Sequence, residues 1–223
     1  MSVSSFVARL IRDEDGGPLV EVAIILPILI TFLLGGVDFM NALYQWNAAA
    51  KAVEIGARIA AVSDPVASGL NSIPHNVLSS SVAAGSSMPD FTVACDGGAA
   101  ACVCVSGECD GMGAYSAAAM GLIVYGRSGK DACAAPASEY FAGMCNIFPP
   151  IVPQYVSVVY AQTGLGYAGR NDGPVPTIAV SLNAATSQAK LPFKFFFLPF
   201  ANIDIPQVTT TTTGEALSAS AAN

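Results

Sequence analysis

From Leu19 to Val37 the chain reads LVEVAIILPILITFLLGGV, nineteen residues whose only ionisable group is Glu21. A helix of that length rises about 29 Å, which matches a bilayer hydrocarbon core of about 30 Å. A cleaved secretory signal needs a shorter apolar run, about 7–15 residues, with small residues directly behind it. Here the nearest such triplet, Ala48-Ala49-Ala50, lies eleven residues beyond Val37, so a membrane span is the better account. Arg9 and Arg12 precede the span among Asp13, Glu14 and Asp15. Basic residues dominate orientation, which places the N-terminus on the cytoplasmic side. A plain anchor explains the hydropathy but not Glu21. A carboxylate costs about 2.5 kcal/mol or more at a bilayer centre and less near its edge, so its presence asks for a partner.

Beyond Val37 the pattern becomes amphipathic. Phe39, Leu43, Trp46, Ala50, Val53, Ala57 and Ala60 recur at spacings of four and three, the mark of one helical face. Asn47, Lys51, Glu54 and Arg58 fall on another face, with Glu54 and Arg58 in the favourable i, i+4 order. Asp64-Pro65 ends the pattern, because proline disfavours helix in the residue before it. One helix from Pro18 to Ser63 is therefore expected. Trp46 and Tyr44 stand where amphipathic rings favour a membrane interface. Ala48, Ala52, Gly56 and Ala60 form a small-residue row that admits a close backbone, either from the protein's own domain or from a partner subunit. Pro27 removes one hydrogen bond of the span and bends its axis.

After Asp64 the chain turns to Ser, Gly, Ala and Pro. Tyr155–Ala161 and Thr177–Asn183 alternate, are rich in β-branched residues, and flank the turn-forming stretch 169–174, so they read as a long-looped hairpin. Ile203–Ile205 and Val208–Thr213 supply one or two further strands. The aromatic stretch from Leu191 to Phe200 is too short and too broken by proline and lysine for a second span. It is expected to pack the sheet against the helix, the alternative being an exposed docking or membrane-surface patch.

All six cysteines, Cys95, Cys102, Cys104, Cys109, Cys133 and Cys145, lie beyond the span, which suits disulfides in an oxidising compartment. Six cysteines admit fifteen pairings, and the sequence does not choose among them. Cys102 and Cys104 would point the same way if Val103 sits in a strand. The cluster staples a loop-rich insertion between Phe91 and Cys145. Zinc is disfavoured, since there is no C-x-x-C pair and His75 is the only histidine.

Chemistry is equally scarce. A Ser-His-Asp mechanism would have to use His75, with no G-x-S-x-G element anywhere. Gly126–Asp131 fails as a phosphate loop, because the first glycine of that pattern falls on Val124 and its Ser/Thr on Asp131. Only 11% of residues are charged and the net charge is -7, so no basic field exists to hold nucleic acid. No enzyme, catalytic residue, metal or cofactor is indicated.

The order of an acidic leader, Gly16, four residues, Glu21 and then Ala23-Ile24-Ile25-Leu26-Pro27-Ile28-Leu29 resembles the TadE-like pseudopilins of the tight-adherence (Flp) pilus system, over about residues 12–40. The resemblance implies that a prepilin peptidase cuts between Gly16 and Gly17, leaving Glu21 as the fifth mature residue. It also implies that the Glu21 carboxylate meets the new Gly17 ammonium of a neighbouring pilin or pseudopilin subunit, an assembly role. Such a pair sets register because either charge alone is costly in hydrocarbon. The expected protein is α+β. Residues 1–16 form a leader, and 17–63 a transmembrane helix continuing into an amphipathic one. Residues 64–223 form a periplasmic domain with an antiparallel sheet and a disulfide-rich insertion. It would sit as a single-pass protein in the bacterial inner membrane, contributing to pilus assembly without enzymatic activity. The rival is an unprocessed envelope protein whose periplasmic domain binds a ligand or partner.

Overall fold

The apolar run and the amphipathic segment form one uninterrupted α-helix, α1 (Gly17–Val62), in the computed structural model. The structure describes residues 17–70, 83, 85–127, 132–135, 142–167, 175–197 and 202–214. The leader up to Gly16, His75, the hairpin turn 169–174, positions 128–131 of the failed phosphate loop, and Leu198 to Phe200 lie outside them. The chain divides into two units, Met1–Leu43 with Lys194–Ala201, and Tyr44–Phe193 with Asn202–Asn223.

In the larger unit five strands form one antiparallel sheet: β1 (Phe91–Asp96), β2 (Val103–Gly107), β3 (Val156–Ala161), β4 (Thr177–Leu182) and β5 (Val208–Thr213), in the order β2-β1-β3-β4-β5. The expected hairpin is β3 and β4, paired from Val156↔Leu182 to Ala161↔Thr177. The threonine run is β5, on the edge beside β4. Ile203–Ile205, expected as a strand, makes only the isolated bridge of Asp204 to Pro192. Two flanking bonds accompany it, Phe193 N to the Ile203 carbonyl at 2.8 Å and Ile205 N to the Leu191 carbonyl at 2.9 Å. The stretch after Phe91 is richer in structure than a stapled loop. It supplies β1, an inner strand, and β2, an edge. It also carries the helices α2 (Ala117–Tyr125) and α3 (Met144–Ile147).

The core of this unit explains the helix sequence. Phe91, Val93 and Cys95 alternate inward from β1 and meet Val158, Tyr160, Ile178 and Val180. Ala49, Ala52, Val53, Ala57 and Ala60 of α1 join them, with Met120 and Ile123 of α2 and Met144 of α3. The small-residue row is thus used within the chain: Ala52, Gly56 and Ala60 are buried. A Cβ on Gly56 would lie 2.7 Å from Met144 Sδ, so the glycine makes room for that side chain. The expected seam is correct only from Val53 onward. Phe39 and Leu43 are exposed and Trp46 is half-buried against the core, because the buried arc runs through Gln45 and Ala49 instead. Apolar spacing marks a face but not what covers it. On the opposite side Glu54 accepts from Lys51 at 2.8 Å and from Arg58, as its spacing indicates, and the two cations hold its carboxyl below the usual range.

Two buried polar groups hold the joints. Asn183, in the left-handed region at φ 55°, donates to the carbonyls of Leu191 (3.0 Å) and Ile205 (2.7 Å) and accepts from Leu191 N (2.8 Å). Tyr160 is fully buried on β3, and its hydroxyl accepts from Val66 N at 2.9 Å, just past the end of α1. Burial pushes the Tyr160 phenol well above its ordinary value. An unfolded tyrosine ionises near pH 10, whereas the folded one keeps its proton. The contribution is therefore complete below pH 10 and is lost above it, at about 1.4 kcal/mol per pH unit. Denaturant melts of the full chain in detergent between pH 9 and 12 are expected to show this fall. In Tyr160→Phe the fall should shrink by one proton's slope, with about 1–2 kcal/mol lost at neutral pH as Val66 N loses its acceptor. An identical alkaline slope in both proteins would refute the assignment.

Candidate functional site

The N-terminal half of α1 is the surface on which any membrane or assembly role depends. Helix formation there follows from residues 19–34, most of which are apolar side chains without a group that competes for backbone bonds, Glu21, Pro27 and Thr31 being the exceptions. From Leu19 to Leu33 every residue is exposed, and none of the most apolar window is buried within the chain. A soluble protein would bury such a surface; this helix is long and apolar enough to cross a membrane.

Glu21 projects from this surface one turn into the helix, exposed, and has no hydrogen-bond or ion-pair partner among the described residues. Gly17, the other half of the implied cleavage site, is the first residue of α1, and Gly16 lies outside the described residues. Pro27 sits inside the helix. Its missing N–H leaves the Ala23 carbonyl without the usual partner, while its own carbonyl accepts from Thr31 Oγ1 at 2.8 Å. Gly35 and Gly36 have open space around the position a Cβ would take.

The apolar run ends in a feature that hydropathy and spacing do not reveal. Asp38 is 1% exposed, and its two carboxylate oxygens accept from successive backbone N–H groups, Phe196 at 2.8 Å and Phe197 at 2.9 Å. One turn further on, Asn41 Nδ2 donates to the Lys194 carbonyl at 2.7 Å. Residues i and i+3 lie on one helical face, so the two side chains grip one loop segment. The aromatic stretch therefore divides. Leu191 is buried and Phe193 packs on the core, as expected, but Phe196 and Phe197 are 71% and 48% exposed. The expectation that the stretch packs sheet against helix fails at Phe196 and Phe197, because their backbone N–H groups are satisfied by Asp38 and their rings are left outward. An acid immediately after the nineteen-residue apolar run was the available signal.

The cysteines pair as Cys95–Cys102, Cys104–Cys109 and Cys133–Cys145, with Cα separations of 4.4, 5.8 and 5.8 Å. Cys102 is buried and Cys104 exposed, so they do not share an environment, although Val103 does begin β2. Cys102 precedes the strand, and strand alternation does not reach it. Among the described residues no group of three or more His, Cys, Asp or Glu side chains could hold a metal ion.

Residues 19–58 match the family model of TadE-like proteins, the family the sequence resembles. The matched stretch contains Glu21, Pro27 and Asp38 and follows Gly16 and Gly17. No curated protein and no solved structure matches the chain.

Proposed function

We propose that this is a non-enzymatic, minor pilin-like membrane protein that contributes to assembly of a tight-adherence (Flp) pilus or a related secretion apparatus. The observation that carries the proposal is the TadE-like match laid over a helix whose apolar stretch Leu19–Leu33 is exposed throughout and bears one carboxylate at its start. In this reading α1 spans the inner membrane up to Val37, with the leader in the cytoplasm. Three disulfides support a periplasmic location for the larger unit, since that compartment keeps cysteines oxidised. Prepilin peptidase cuts between Gly16 and Gly17, and the Gly17 ammonium so released on one subunit pairs with Glu21 of another. Pro27 sets the bend of the helix along which subunits pack.

The test is N-terminal sequencing with intact mass of the protein purified from native membranes. A chain beginning at Gly17 is the expected result. A chain that retains its leader would favour the unprocessed envelope protein, and one beginning near Lys51 would mean a secreted protein and overturn both.

A further inference from the structure

We propose that the Lys194–Phe197 loop is a second membrane contact, an interfacial anchor that inserts Phe196 and Phe197 into the leaflet where α1 leaves the hydrocarbon. The inference rests on α1 crossing a bilayer and goes beyond it.

Four observations converge. The first is position: Asp38, which grips the loop, directly follows the apolar run. It stands nineteen residues after Leu19, about 29 Å along the axis, which is the full depth of the hydrocarbon. The second is how the loop's backbone is satisfied. In an interface short of water an unpaired N–H is costly. The N–H groups of Phe196 and Phe197 are both taken by the Asp38 carboxylate, and the Lys194 carbonyl by Asn41. The third is that satisfying the backbone turns the rings outward, leaving two adjacent phenylalanines exposed. The fourth is continuity. Phe39 and Met40, on the same helix beside Asp38, are 61% and 69% exposed, and the exposed apolar surface from Leu19 runs directly into them. Large apolar side chains on both the helix and the loop thus stand at one level, the level at which membrane proteins place their aromatic belts. A lipid surface fits this better than a protein partner, because the patch extends a surface that is already lipid-facing.

Tryptophan substitution with brominated lipids tests this on the full chain in phosphatidylethanolamine–phosphatidylglycerol vesicles. Bromines placed near the headgroup end or near the methyl end of the acyl chains quench an indole at the matching depth. Ile28→Trp, at the middle of the span and exposed, reports insertion of α1 independently. Phe196→Trp, and Phe197→Trp as a second variant should the first misfold, report the loop, with the parent's Trp46 emission as reference.

The expected result is quenching of I28W chiefly by deep bromines, and of F196W chiefly by shallow ones, with F196W emission shifted to the blue. Asp38→Ala is expected to abolish the shallow quenching of F196W while leaving I28W unchanged. Deep quenching of I28W with water-like, unquenched emission from F196W would overturn the anchor and leave the span standing. Failure of both would instead remove the span itself. A blue-shifted but unquenched F196W whose shift grows with protein concentration would also overturn the proposal, placing a second copy of the chain on the loop. Shallow quenching that persists in D38A would overturn the role of Asp38 in setting loop depth.

Discussion

Glu21→Ala is expected to reach the membrane at the parent's level and to abolish assembly. A carboxylate inside an apolar helix opposes insertion, by about 2.5–3.5 kcal/mol at the centre and less at the edge. Glu21 lies two residues into the run, about 3 Å along the axis from Leu19, where that cost is small. Removing it therefore leaves insertion unharmed. Assembly differs because the carboxylate has no partner within the described part of its own chain, and in the proposed reading a neighbouring subunit supplies its countercharge. A neighbouring subunit that buries its ammonium against alanine leaves that charge uncompensated, a defect of about 3–5 kcal/mol per contact. A loss of that size at its contact is enough to stop assembly. Glu21→Gln, which keeps the shape without the charge, should fail as well, and Glu21→Asp should be impaired but active. Membrane fractionation beside electron microscopy of surface pili, or co-purification of partner subunits, checks both halves. Normal pili in E21A would remove the proposed ion pair and with it the assembly role of this residue.

Replacing Cys95 and Cys102 together by alanine is expected to cost about 3–5 kcal/mol, more than the loss of the Cys104–Cys109 bridge. The chain constraint alone is worth about 2 kcal/mol for a closed loop this short. Burial adds the rest, since Cys95 is inaccessible on the inner face of β1 and Cys102 is nearly so. Two alanines leave a void that its neighbours Val93 and Val158 do not fill. The Cys104–Cys109 bridge closes a loop of similar length, so its constraint is nearly equal, but Cys104 is exposed on the edge strand. Its double alanine variant should lose only about 2 kcal/mol. Denaturant melts of the three proteins in detergent, with mass spectrometry to show that the remaining bridges are intact, separate the contributions. Equal losses from the two pairs would mean that burial adds nothing at Cys95.

The described parts of the fold differ in how far they are legible from the sequence. The β3–β4 hairpin was legible because alternating β-branched runs at Val156–Ala161 and Thr177–Leu182 pair with each other. β1 was not, although Phe-Thr-Val-Ala-Cys-Asp alternates just as cleanly. Six residues beside a cysteine cluster look like a stapled loop until β3 is seen to pair with them from Thr92↔Ala161 to Asp96↔Ser157. The partner, some sixty-five residues away, makes it an inner strand. In the candidate site, Glu21 and Pro27 were legible as exceptions within an apolar run, while Asp38 looked like the run's ordinary polar boundary. Only the return of the chain more than 150 residues later shows its carboxylate to be a backbone clasp.

The sequence by itself determined the helix. A nineteen-residue apolar run followed by an amphipathic stretch and closed by Asp64-Pro65 specifies its length and continuity, because helical hydrogen bonds run four residues apart and are decided locally. It also determined that the cysteines lie outside the apolar run. The tertiary structure decided which cysteines meet, which arc of α1 is covered, and which phenylalanines of the aromatic stretch stay outside. Each of these depends on the partner that long-range folding brings to a residue, and apolarity and spacing state only that a partner is wanted.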